Sequence, residues 1–171
     1  PPRVKIEISC LSMDEPTELR QIRSLIGESF DGEDTDAESL VRTVVPTRTF
    51  LEKLFLLAEE FQKEKPRSVR MSRHLYDLEK LMDTEYGKEA LSNRELYDAI
   101  VEHRKAYYAL KYVNYDSHTP STISFTIPES VMDAWQDDYA DMRRFFIYGE
   151  SLEFDELMQK MRELQERVRI M

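Results

Sequence analysis

One cysteine, Cys10, is all the thiol chemistry this sequence has. An internal disulfide is therefore excluded, and the three histidines, His74, His103 and His118, fall at spacings that match no structural zinc signature. Four glycines are scattered over 171 residues, too sparse for a phosphate-cradling glycine loop or a nucleophile elbow. P-loop, kinase and α/β-hydrolase chemistry are set aside with them. No apolar run approaches the ~20 residues that cross a bilayer, and the N-terminus has no charged-then-apolar leader. With a lone thiol, these absences lead us to expect a cytoplasmic protein without a membrane partner. Positive charge is also scarce: 24 Lys and Arg against 34 Asp and Glu leave a formal charge of -10, so the surface as a whole does not attract a phosphate backbone.

What is present is enough for a folded body. Hydrophobic residues make up 41% and aromatics 11% of the chain, too rich for disorder. No repeat or low-complexity tract interrupts it. The charge average hides one exception. Between Gln62 and His74 stand Lys63, Lys65, Arg67, Arg70 and Arg73 against Glu64 alone, a local excess of +4. This stretch reads either as a solvated basic turn between helices or as a patch for nucleic acid.

Periodicity divides the chain. Val4, Ile6, Ile8 and Cys10 alternate with Lys5, Glu7 and Ser9, a period of two that predicts a strand. An acidic turn-forming run at 31–38 lacks the ligand spacing of an EF-hand loop and reads as solvated, leading into a strand over 40–45. After Pro46 the apolar spacing changes to three and four: Phe50, Leu51, Leu54, Phe55, Leu57, Ala58 and Phe61 predict a helix over about 49–65, with Thr49 and Glu52 spaced as a capping box. Ser72 suits the N-cap of a second helix carrying Leu75, Leu78, Leu81 and Met82. Further helices are expected near 93–107, 128–146 and 154–168, with Gly149 as a stop. The polar interval 112–126 reads as a structured loop with a brief strand at 123–125. Trp135 and Tyr139, and likewise Phe145, Phe146, Tyr148 and Phe154, read as helix-packing aromatics rather than a stacking platform for bases. The expected fold is α+β and mainly helical, with residues 1–46 as a strand-bearing region and 47–171 as a helical domain.

Few side chains suit chemistry. Glu7, beside Lys5 on the polar strand face, is either a metal-binding carboxylate on a rigid element or half of a surface ion pair. Lys53 would stand one turn inside a capped helix, where the backbone dipole favours anions, so it is either a phosphate-gripping point charge or a solvated lysine. Arg70, Arg73, His74 and Asp77 form the densest polar cluster. At helical spacing Asp77 can pair with Arg73 or His74, or it can orient Lys53 or activate a hydroxyl while the arginines hold phosphate.

Three stretches carry a resemblance: Val-Lys-Ile-Glu-Ile at 4–8, Pro-Thr-Arg-Thr-Phe-Leu-Glu-Lys-Leu at 46–54 and Arg-Met-Ser-Arg-His-Leu-Tyr-Asp-Leu at 70–78. With Asp-Asp-Tyr-Ala-Asp-Met at 137–142 and Ile-Tyr-Gly at 147–149, their order and spacing resemble the AbiEii-type toxins, nucleotidyltransferase-like proteins of type IV toxin–antitoxin systems. The resemblance implies Lys53 and Asp77 as catalytic residues and Glu7 as a metal-binding carboxylate, and the polar cluster adds Arg70, Arg73 and His74 beside Lys53 as the expected nucleotide-binding residues. It further implies magnesium, a nucleoside triphosphate, transfer to an acceptor such as the 3′ end of tRNA, and an antitoxin partner that acts without direct contact. The family's first motif, a glycine turn followed by paired acidic residues on a strand, would precede Val4. The expectation from its absence is a C-terminal portion inactive by itself. A helical interaction or RNA-binding module without catalysis is the competing reading.

Overall fold

The structure, a computed structural model, describes Ile6, residues 17–30 and residues 38–171. Apart from Ile6, the expected strand at 4–10 lies outside the described residues, as does nearly all of the acidic run at 31–38. The chain divides into two compact units, Pro1–Val45 and Pro46–Met171. Among the described residues there are seven α-helices and one two-stranded sheet, so the fold is α+β and mainly helical.

In the first unit, β1 (Thr17–Arg23) pairs antiparallel with β2 (Glu38–Val44), in a register that sets Leu19 opposite Arg42 and Gln21 opposite Leu40. A short helix, α1 (Leu25–Ser29), follows β1 and is capped by the Ser24 side chain, which accepts the Gly27 N–H. Neither β1 nor α1 stands out in the sequence, because charged and polar residues interrupt any clean alternation over 17–29.

The second unit is a helical body around one core. Helix α2 (Pro46–Glu60) buries Phe50, Leu51, Leu54, Phe55 and Leu57 completely. Each such side chain contributes about 1.5–3 kcal/mol on leaving water. Around α2 pack α3 (Arg73–Met82), α4 (Glu85–Ser92) and α5 (Arg94–His103), while α7 (Phe154–Arg169) lies on α3 and α6 (Met132–Phe145) lies on α7. Helix α2 begins three residues before the expected capping box, because Pro46 has the fixed φ of a first helical position and no N–H to leave unpaired. Thr49 is thus inside the helix, and Glu52 turns to Arg48 (3.0 Å) and Arg104 instead of capping. The helix stops at Glu60, whose carboxylate accepts the Arg67 backbone N–H (2.8 Å) and folds the chain back on itself.

Helix α4 was not expected. It buries only Gly87 and Ala90, too little for an apolar stripe, and its close seating on α3 depends on Gly87: a Cβ there would stand 2.3 Å from the Leu81 carbonyl oxygen. Helix α5 starts at the Asn93 cap and ends in one π-helical turn, Arg104–Tyr108, which closes at Ala109 with φ +45. The expected strand at 123–125 does not form. Ile123 and Phe125 are buried, but their main chain is met by one side chain: Gln165 of α7 donates to the Ile123 carbonyl (2.8 Å) and accepts the Phe125 N–H (3.3 Å). Trp135, Tyr139 and Phe154 are core residues, as expected. Phe145, Phe146 and Tyr148 are not: they are 55%, 54% and 94% exposed, because the end of α6 runs past the core. Arg144 and Arg70 lie over the Phe145 and Phe146 rings.

Candidate functional site

Helix α2 presents Lys53 on a face that the core leaves uncovered, and α3 presents Asp77 from the neighbouring helix. Their side chains meet: Lys53 Nζ donates to Asp77 Oδ2 at 2.6 Å, with both groups partly open to solvent. Two residues 24 positions apart are brought together by helix packing alone. Lys53 is about two turns inside α2 rather than one, so the helix dipole, which acts within the first turn, does not account for its position. Its partner is a carboxylate.

His74 is one turn before Asp77 and is buried, at 8% exposure. Burial, then the positive charges of Lys53 and Arg73, push its imidazole down to about 4, and the nearby Asp77 carboxylate only partly opposes them. The ring is therefore neutral at physiological pH. Its Nδ1 is buried without a hydrogen-bond partner, while Arg73 Nε approaches Nε2 at 3.5 Å. Of the partners open to Asp77 in the sequence, Arg73, His74 and Lys53, the hydrogen bond is made by Lys53. Arg73 is exposed at the start of α3, and Arg70 is exposed in the preceding turn with φ +59. Among the described residues the structure thus brings together Lys53, Asp77, His74 and Arg73, whereas Arg70 makes its contacts with Asp138 and Phe146. Glu7 lies outside the described residues.

The basic stretch at 62–74 is less available than its sequence suggests. Glu60, 3% exposed, takes Lys63 (2.7 Å) and Arg67 (2.8 Å) as ion pairs. Burial raises its pKa, but the hydrogen bonds from Arg67 and Lys63 outweigh that and hold it at about 2. Two of the five cations thereby share one carboxylate, which offsets a single charge of the stretch.

Beneath the site runs a second charged group that sequence reading missed. Arg104, 4% exposed, donates through Nε and Nη2 to Glu59 (2.7 and 2.5 Å) and through Nη1 to Glu52, which also accepts from Arg48. Burial opposes the Arg104 charge, and the Glu59 hydrogen bonds more than restore it. This network fixes the residue next to Lys53 against the π turn. Its only sequence signal is the presence of charged residues inside an apolar helical pattern.

Asp77 offers a single carboxylate here, whereas magnesium is commonly held by one or two carboxylates together with substrate phosphates. Among the described residues, no three His, Cys, Asp or Glu side chains are grouped to hold a metal. No helix among them is long and apolar enough to cross a membrane. The model of one protein family, nucleotidyl transferase AbiEii toxin of type IV toxin–antitoxin systems, matches residues 1–160. No curated protein and no solved structure matches the chain.

Proposed function

The chain belongs to the AbiEii family of nucleotidyltransferase toxins of type IV toxin–antitoxin systems, and from that premise we propose that Lys53 and Asp77 are its working pair in nucleotidyl transfer. One observation carries the proposal: the 2.6 Å contact between Lys53 and Asp77 across two packed helices, beside exposed Arg73. An ammonium already positioned by a carboxylate needs little rearrangement to meet the phosphates of a nucleoside triphosphate. As the phosphates take the ammonium, Asp77 is released to accept the proton of an acceptor hydroxyl. The hydroxyl oxygen then bonds to the α-phosphorus, and the bond to pyrophosphate breaks.

Arg73 and Arg70 add positive charge for the phosphate oxygens, and the neutral His74 adds a hydrogen-bonding ring without competing charge. The acceptor we propose is the 3′ end of tRNA, in the cytoplasm, with the antitoxin acting on the same process without touching this chain. Magnesium, with Glu7 among its ligands, belongs to the same proposal. Asp77 alone among the grouped residues is a carboxylate, so the roles above are borne by the chain's own side chains. A purely RNA-binding module is the less favoured reading, since Glu60 engages Lys63 and Arg67 and offsets one of their two charges.

The test is incubation of the full-length protein with labelled nucleoside triphosphates, magnesium and tRNA. Lys53→Ala and Asp77→Asn should each lower transfer by about 100-fold or more while the fold persists. Transfer unchanged in folded Lys53→Ala would overturn the assignment.

A further inference from the structure

Asp138 stands in the second turn of α6, and its carboxylate is directed away from its own helix to another part of the chain. Oδ1 accepts the backbone N–H of Arg70 at 2.5 Å, and Oδ2 accepts both the backbone N–H of Ser72 at 3.0 Å and the Ser72 hydroxyl at 2.5 Å. The turn held in this way is an unusual one. Arg70 has φ +59, the left-handed region where a residue with a Cβ is strained and persists only when its surroundings hold it there. Two N–H groups and a hydroxyl converging on one carboxylate are such a restraint.

The arrangement also explains why Ser72, fully buried at the N-cap of α3, makes no side-chain cap: its hydroxyl donates to Asp138 and its own φ and ψ are already helical. The start of α3 is therefore held by a helix 66 residues further along the chain. Helix α6 also reaches Arg70 a second time, through the Phe146 ring at its C-cap, 5.5 Å from the guanidinium. The first residues beyond the clamp are Arg73 and His74, and Asp77 is one turn on.

We propose that Asp138 is a positioning residue for the Lys53 site: by holding Arg70 left-handed in the turn before α3, it sets the rotation at which α3 presents Arg73, His74 and Asp77 to Lys53. The consequence for activity rests on the nucleotidyltransferase reading, whereas the consequence for geometry does not. Asp138 touches no reacting atom. Asparagine in its place keeps the shape but loses the charge and one acceptor, so the turn is free to relax and α3 to rotate.

The experiment compares wild type, Asp138→Asn, Arg70→Gly and the double variant in the full-length protein. It reads the His74 ring and the Arg70, Ser72 and Asp77 amides by NMR, and nucleotidyl transfer alongside. Asp138→Asn should shift the His74 and Asp77 signals and lower kcat by about 10- to 100-fold, the size of effect that misplacing catalytic groups by an ångström produces. Glycine adopts a positive φ without strain. The double variant should therefore return the His74 and Asp77 signals to those of Arg70→Gly alone, a rescue that simple loss of packing would not give. Unchanged His74 and Asp77 signals in folded Asp138→Asn would overturn the proposal. Should Asp138→Asn not fold, His74 signals that differ between the double variant and Arg70→Gly would overturn it. If the wild-type protein transfers no nucleotide, the nucleotidyltransferase reading fails while the NMR comparison still decides the positioning role.

Discussion

His74 couples the candidate site to acid stability. Its imidazole is held near 4 in the native protein, mainly by burial and then by Lys53 and Arg73, against an ordinary value of 6.5. Between these two pH values the unfolded chain binds a proton that the folded chain refuses, so stability rises with pH across that window and is lost as pH falls through it. The full effect is up to about 3 kcal/mol. Urea unfolding at pH 4 to 7 should show this slope in the wild type and a shallower one in His74→Gln. The same slope in both proteins would mean that the ring is protonated as readily in the fold as in the unfolded chain. At this scale the sequence was informative about residue type: Arg70, Arg73, His74 and Asp77 were legible as a polar cluster, and Lys53 as a separate candidate on the preceding helix. Which of them touch was not, because Asp77 had partners within its own helix and another across it, and only packing selects Lys53.

Elements in this fold are held by side chains acting at a distance. Arg104 in the π turn joins Glu59 and Glu52 of α2. Arg104→Ala would leave Glu59 buried without a countercharge and should cost about 3–5 kcal/mol in chemical denaturation, whereas replacing Arg104 and Glu59 together by Met and Leu should cost far less. Equal losses in the two variants would show that the pair matters for shape rather than charge. Gln165 serves the 123–125 segment in the same manner, standing in for a partner strand. Gln165→Leu should expose that dependence, at about 1–3 kcal/mol for each main-chain group left unpaired. Faster amide exchange at Phe125 would localise it. Helix positions over most of 46–171 were legible because apolar residues recur every three or four positions. The strand predicted at 123–125 failed because its apolar residues mark burial, which a side-chain amide can make possible without a sheet.

For the whole molecule, every residue of the buried hydrophobic cluster among the described residues lies between Phe50 and Val168, within the second unit. Residues 46–171 alone should therefore fold and unfold in one cooperative transition, checked by coincident circular dichroism and tryptophan fluorescence from Trp135. Leu54, fully buried, gives the matching mutation: Leu54→Ala should destabilise that fragment by about 2–5 kcal/mol. Separate transitions for the two probes would show that the helical body depends on the first unit.

The sequence by itself determined the helical character, the alternation of core and surface on α2, α3 and α7, and the family to which the motifs point. These follow from local periodicity and local order, which the chain carries along its length. Only the tertiary structure decided that Lys53 meets Asp77, that Glu60 takes two cations out of the basic stretch, that Phe145, Phe146 and Tyr148 face solvent, and that Asp138 holds the turn before α3. Except for Glu60, whose partners are three and seven residues along the chain, each of these depends on which surfaces of distant segments are pressed together. Contacts between helices and burial are properties of that packing, and the spacing within a single segment does not record them.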